Sequence, residues 1–169
     1  MALWYDETGE RESAIKWHED SLRLSRSLSL RRREGIDLAN IGETYYRLGE
    51  FERARSNFEE SLGTFIEIGD RACEGDCRVN LGRALRGCGE MESAVAMLNA
   101  GLRLCEETGR LEYAALALLH IGELRLEAGE LDKADRALRR ARQIVTDLSW
   151  HDVAQFDDAI ARLEAAQRG

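Results

Sequence analysis

Ile41-Gly42-Glu43-Thr44-Tyr45-Tyr46-Arg47-Leu48-Gly49-Glu50-Phe51-Glu52-Arg53-Ala54-Arg55-Ser56-Asn57-Phe58 reads as the end of one helix, a turn, and the start of another. Apolar residues recur at helical spacing on both sides of the turn: Leu38, Ile41, Tyr45 and Leu48 before it, then Ala54, Phe58, Leu62 and Phe65 after it. Gly49 stands where the first helix must stop, because glycine adopts the left-handed C′ conformation without a Cβ penalty. Glu50 after it favours the positive N-terminus of the next helix. Gly42 falls inside the first helix, where glycine costs about 1 kcal/mol relative to alanine, so a compensating close approach of the partner helix is expected there. Ala54 is the residue expected to meet it from the other side.

Working outward, the stretch repeats. Gly9-Glu10, Gly49-Glu50, Gly89-Glu90 and Gly129-Glu130 are spaced by 40 residues, and an alanine follows each glycine five positions on, at Ala14, Ala54, Ala94 and Ala134. Seven residues upstream of the turn a second glycine column holds Gly42, Gly82 and Gly122, preceded by Ile41, Leu81 and Ile121. Further columns hold Asn40, Asn80 and His120; Leu22, Leu62 and Leu102; Ser21, Ser61, Gly101 and Ala141; and Ser29, Gly69, Gly109 and Ser149. A fixed period of this length, two helices per period, defines a repeat array in which each unit buries its apolar face on the next.

Composition agrees with long helices and narrows the function. The chain has 169 residues with no proline, 44% hydrophobic and 33% charged residues, which is globular and suits unbroken helices. A net charge of −8 works against binding a phosphate backbone, so nucleic acid is not expected as a partner. The longest apolar run, Tyr113 to Leu119, is far short of the roughly 20 residues a membrane span needs, and Met1-Ala2-Leu3-Trp4-Tyr5-Asp6 lacks a basic leader. A soluble cytoplasmic protein with no membrane association is the expectation. Cys73, Cys77, Cys88 and Cys105 crowd into one part of the chain and are expected to be reduced, with Cys88 and Cys105 in core columns. Of the 24 basic residues only Lys16 and Lys133 are lysine, a bias that points to a bacterial source.

The stretch Ile41-Gly42-x-x-Tyr45-x-x-Leu48-Gly49-x-Phe51-x-x-Ala54-x-x-x-Phe58 resembles the tetratricopeptide repeat. The later copies are looser, with Leu85 and Arg125 where the aromatic would stand. The 40-residue period, Asn80-Leu81-Gly82 and Gly69-Asp70 are similar to the longer variant found in kinesin light chains, G-protein-signalling modulators and bacterial regulators. The resemblance implies an all-α fold, a right-handed α-α superhelix of antiparallel hairpins with a C-terminal capping helix. It divides the single domain 1–169 into a partial hairpin at 1–34, full hairpins at 35–72, 73–112 and 113–149, and a cap at 150–169. The partial hairpin is expected to be a helix over about 11–32, preceded past a turn at Gly9 by a stub of its partner, Leu3 to Glu7.

In such a stack the first helix of each hairpin lines the concave surface, so the family's groove columns carry over by position. They are Ile36, Ala39, Asn40, Glu43, Tyr46 and Arg47 in one hairpin and Asp76, Val79, Asn80, Arg83 and Arg86 in the next. Leu116, Leu119, His120, Glu123, Leu126 and Glu127 belong to the third. Asn40 and Asn80 match the position whose amide clamps the backbone of an extended peptide, one donor and one acceptor at once; solvation of the groove or bonding to neighbouring helices is the alternative. Arg83 and Arg86 are placed to grip a carboxylate or phosphate of a ligand, or else to pair with Glu43 and Glu123 in the adjacent hairpins. Leu116, Leu119 and Leu126 would form an apolar strip if that groove is open, and are otherwise covered by the cap. His18, His120 and His151 fall in different hairpins and read as packed residues, and the arginine runs at 31–33 and 139–142 as solvated faces near acids.

No metal-ligand spacing, phosphate loop or nucleophile-base set is readable, so no catalytic residue, metal or cofactor is expected. The function implied is a non-catalytic scaffold that takes a peptide or protein segment in its concave groove. The alternative is a sensor or regulatory module of a larger bacterial signalling or transcription-regulatory protein, binding a small effector. Homodimerisation through the terminal hairpins could accompany either.

Overall fold

The computed structural model describes residues 2–150 and 153–168, with side chains described from Ser13 onward except Ala14. His151 and the side chains of Leu3 to Glu7 therefore lie outside the described residues. Eight helices account for the described chain: α1 (Ala2–Ser27), α2 (Arg31–Arg47), α3 (Phe51–Ile68), α4 (Arg71–Gly87), α5 (Met91–Thr108), α6 (Leu111–Glu127), α7 (Leu131–Asp147) and α8 (Ala154–Arg168). Each packs on its neighbours in sequence. Beyond those, the backbones of α2 and α4, of α4 and α6 and of α6 and α8 also approach, whereas the odd-numbered helices meet only through side-chain ion pairs such as Arg26 with Glu60 and Arg140 with Glu106 among the described residues. The even helices are thus drawn together as an inner layer and the odd ones splay outside, the arrangement of a solenoid with a concave inner face. None of the described helices is long and apolar enough to cross a membrane.

The turns follow one design. Gly49, Gly89 and Gly129 have φ of 77°, 82° and 72°. At the first of them the Gly49 N–H donates to Tyr46 O at 3.0 Å and the Glu50 N–H to Tyr45 O at 3.0 Å, which closes the orphan carbonyls of α2 in a Schellman motif. The intervening turns use Gly69 and Gly109 in the same left-handed region, whereas Ser29 and Ser149 occupy it at φ 54° with a side chain present. The glutamates at 50, 90 and 130 stand at N-caps but make no capping hydrogen bond. Their carboxylates turn to arginines instead: Arg53 at 2.7 Å, Arg55 at 2.5 Å and Arg125 at 2.6 Å.

Two features differ from the sequence reading. α1 runs unbroken through Gly9 where a turn had been expected, and the first full hairpin begins at Arg31 rather than at 35. Second, the glycines inside the even helices do not face the alanine column. A Cβ on Gly42 would lie 2.8 Å from the Phe58 ring, and one on Gly82 or Gly122 would meet Leu98 at 2.7 Å or Leu138 at 2.6 Å. The gap is a hole for a large knob, and Phe58, Leu98 and Leu138 are buried completely or nearly so by filling it.

Gly63 is the contrasting case. It lies within α3 with nothing within 4 Å of a built Cβ, so its flexibility is not repaid by any close approach. Gly63→Ala is expected to raise stability by about 1 kcal/mol, read as a higher urea midpoint at unchanged m-value.

Candidate functional site

The concave face is built from α2, α4 and α6, and a hollow of about 280 Å³ lies between them. Ile36, Ala39 and Asn40 contribute from α2, Cys73, Asp76 and Asn80 from α4, Tyr113 from α6, and Phe65 with Cys77 closes the floor. Arg32 and Arg110 stand at the rim. Asp76 is held by a fork from Arg110, whose Nε donates to Oδ1 at 3.1 Å and to Oδ2 at 3.0 Å. Burial pushes the Asp76 carboxyl up and the Arg110 guanidinium opposes it. Burial also raises the Tyr113 hydroxyl. Cys77 on the floor donates to Phe58 O at 3.2 Å, and burial pushes its thiol up to about 12, so it is a packed, unreactive residue.

The two asparagines of the clamp column behave differently. Asn40 is exposed, and its amide has no hydrogen-bond partner among the described residues. Asn80 is only 7% exposed, and its Oδ1 accepts from Arg83 Nη1 at 2.9 Å. The central hairpin has a neighbour on each side and the first has a lighter one, so the same residue type is covered in one place and open in the other.

The arginines expected to grip a ligand are spent within the chain. Arg83 donates to Glu43 at 3.1 Å and lies over the Tyr46 ring at 4.3 Å. Arg86 donates to both Glu123 and Glu127, with His120 beside it. Glu123 also takes His120 Nδ1 at 3.1 Å and Arg162 from α8 at 3.3 Å. Burial alone would raise the Glu123 carboxyl, but the hydrogen bonds from His120 and Arg86 outweigh it and hold it at about 2. His120 is itself pushed below its ordinary value by burial. Arg47 pairs with Glu43 at 2.9 Å.

The leucine strip is not open as a strip. Leu119 is 2% exposed, as Val79 is fully buried, and Leu116 and Leu126 are half-buried against the core. α8 lies on α6, so the cap covers this end of the groove. The arginine runs are likewise paired rather than free: Arg32 with Asp70 at 2.8 Å, Arg33 with Asp37 at 3.3 Å, Arg139 with Asp135 at 2.8 Å and Arg140 with Glu106 at 2.5 Å.

Sequence reasoning missed Arg32, Cys73, Arg110 and Tyr113 as groove residues. Arg33, Cys73 and Tyr113 share a column two turns ahead of the clamp, so the period held the signal. It also missed Asp37, which is fully buried between α1 and α2 and accepts from Ser21 at 2.9 Å and Ser25 at 3.0 Å.

Paired helices, glycine turns and a concave inner layer define an α-α solenoid of short helical repeats. The tetratricopeptide repeat models match residues 32–107 and 116–144, and the chain belongs to that family. Among solved structures, the apo form of RapI superposes with a TM-score of 0.77 at 17% identity, covering 98% of this chain and 46% of RapI. Aspartyl phosphate phosphatase F from Bacillus subtilis gives 0.73 at 15% identity, over 95% of this chain and 46% of that one. The Rap protein complexed with competence and sporulation factor gives 0.72 at 16% identity, over 90% of this chain and 48% of that one. The chain thus spans about half the length of these proteins, and the likeness is one of fold. No curated protein matches the sequence.

Proposed function

We propose that this chain is a non-catalytic scaffold that holds a segment of another protein in its concave groove, with the hollow between α2, α4 and α6 as the first point of contact. The observation that carries this reading is the combination at that hollow: an exposed Asn40 amide whose donor and acceptor have no partner among the described residues, beside a recess of about 280 Å³ in which Ile36, Ala39 and Tyr113 stand among paired polar side chains. An amide can bridge the N–H and C=O of a bound backbone while one side chain enters the recess. The recess falls at or below the roughly 300 Å³ lower end of small-molecule sites, which favours a side chain over an effector. Because Arg83, Arg86 and Arg110 are already paired, the groove reads backbone and shape rather than a ligand's negative charge.

Peptides selected from a random display library for binding to the full chain supply the test. Asn40→Ala is expected to weaken the selected peptides by about three- to tenfold, the worth of one or two net hydrogen bonds, with the helical circular dichroism unchanged. Equal affinity for the variant would remove the clamp from the proposal.

A second reading is that the array serves as the regulatory half of a longer bacterial signalling protein. Its support is the fold likeness to a Rap protein that was solved in complex with competence and sporulation factor, and to proteins about twice as long.

A further inference from the structure

A second recess lies between the start of α5 and the end of α6 and shares no lining residue with the hollow between α2, α4 and α6. It measures about 610 Å³ and is lined by Met91, Val95, Leu124 and Ala128, with Glu92, Arg125 and Glu127 around it. The internal period shows what such a place holds when it is closed. One repeat earlier, Phe51 stands in the Met91 column and its ring lies directly on Gly87, so close that a Cβ there would come within 2.4 Å of it. Arg55, in the Val95 column, then reaches across to Glu90 at 2.5 Å and bolts α3 to the next hairpin.

Both closing elements are lost at the second step. Glu127 replaces Gly87, and its Cβ occupies the place where an aromatic ring would lie. Met91 accordingly remains 45% exposed. Val95 has no charge to offer, and Glu130, the counterpart of Glu90, turns instead to Arg125 at 2.6 Å and Lys133 at 3.0 Å. Glu92 on the rim has no hydrogen-bond or ion-pair partner among the described residues. What remains is an apolar slot with an acidic edge, in a chain whose previous repeat fills the same slot with an aromatic and an arginine one helical turn apart.

We propose that this slot docks an amphipathic helix of a partner protein, one that presents an aromatic side chain to Met91, Val95, Leu124 and Ala128 and an arginine or lysine one turn later to the carboxylate of Glu92, the Glu127 carboxylate being already held by Arg86. The partner helix supplies the same pair of residue types that Phe51 and Arg55 supply in cis, its ring lying on Met91, Val95, Leu124 and Ala128 beside the Glu127 Cβ rather than in the place that Cβ fills. The acidic rim selects for the basic residue, and the apolar floor takes the ring. This slot shares no lining residue with the hollow between α2, α4 and α6, so either site can fail without the other.

The probe is a synthetic peptide carrying residues 49–60 of this chain, held helical by a side-chain lactam on its outward face, because so short a helix is not stable alone. It is titrated into the full chain labelled at the methionine methyls, Met91 reporting on the slot and Met97 on the rest of α5. Saturable movement of the Met91 signal with Met97 unmoved is expected. Two variants close the slot with residues the repeat already uses in those columns, Val95→Arg after Arg55 and Ala128→Leu after Leu48, and each should weaken binding by about tenfold or more. A peptide with Phe51→Ala and Arg55→Glu should bind at least as poorly. Absence of a saturable Met91 shift, or affinity unchanged by both closing variants, overturns the site. Equal binding of the altered peptide overturns the aromatic-basic chemistry. A Met91 signal that moves with protein concentration alone makes a second copy of this chain the occupant instead.

Discussion

Gly101→Val lowers the stability of the array by about 3 kcal/mol or more, the upper end for overpacking a well-filled interior. The glycines at 35, 42 and 87 face aromatic rings that could move aside. Gly101 faces backbone: a Cβ would lie 2.9 Å from Val79 N and 3.1 Å from Gly75 O, as well as 2.8 Å from a Val79 methyl. No rotamer change relieves those contacts, so α4 and α5 must separate. In a domain of this size each kcal/mol moves the midpoint by about 2–4 °C, which sets the expected fall at about 6–12 °C. Because α4 and α5 form the central hairpin, their separation also uncouples the hairpins on either side, and the transition should broaden or split. Adding Val79→Ala removes the methyl clash but neither backbone contact, so only part of the loss should return. A melting temperature within about 2 °C of the parent would mean that α4 and α5 can separate at Gly101 with little loss of packing.

The same geometry explains what could be read in the sequence and what could not. The forty-residue period, the turn glycines and the apolar columns were legible because each copy repeats the signal, and repetition removes the ambiguity of any single window. The partner of the buried glycine was misjudged, although the information was present. An antiparallel hairpin mirrors its two helices about the turn. Gly42 and Phe58 stand nearly equally far from Gly49-Glu50, as do Gly35 and Phe65, whose ring would meet a Gly35 Cβ at 2.8 Å. Ala54 stands too near the turn to reach Gly42. Mirror counting gives the right pairs.

The site was less legible because it depends on differences between copies. Asn40 and Asn80 are identical in sequence and opposite in exposure, which is set by how many hairpins flank each. The choice between ligand and neighbour for Arg83 and Arg86 turns on side chains some forty positions away, Glu43 on one side and Glu123 and Glu127 on the other. The period places Glu43 and Glu123 in the column of Arg83 and Glu127 in the column beside Arg86, but only packing decides that the charges are satisfied internally. Asp37 carried no periodic signal, since its column otherwise holds Cys77 and Ala117. Its meaning comes from Ser21 and Ser25, which donate to it from α1.

The largest electrostatic effect should follow from Arg86→Ala. Arg86 bridges α4 to α6 by donating to Glu123 and Glu127, and removing it leaves the mostly buried Glu123 carboxylate with His120 and Arg162 alone. Stripping one partner from such a pair costs about 3–5 kcal/mol where both are fully buried, and the partial exposure of Arg86 places the expected loss near the lower bound, about 3 kcal/mol at neutral pH. The pH dependence separates this from a simple packing defect. A carboxyl whose folded pKa is about 2, against an ordinary 4.5, contributes stability that is complete above 4.5 and is lost as the pH falls toward 2. His120 adds to the same slope from higher pH. Its pKa is depressed from 6.5 by burial, so the unfolded chain takes up its proton first and stability declines as the pH falls below 6.5. Without Arg86 the Glu123 carboxyl titrates higher, and its share of the acid slope becomes shallower. His120, left as a main counter-charge to Glu123, should titrate higher than in the parent. Urea melts at pH 7 and pH 4 measure the first effect and the imidazole NMR shifts of His120 the second. A parallel drop at both pH values, with the His120 titration unmoved, would mean that Arg86 acts through its aliphatic stem rather than its charge.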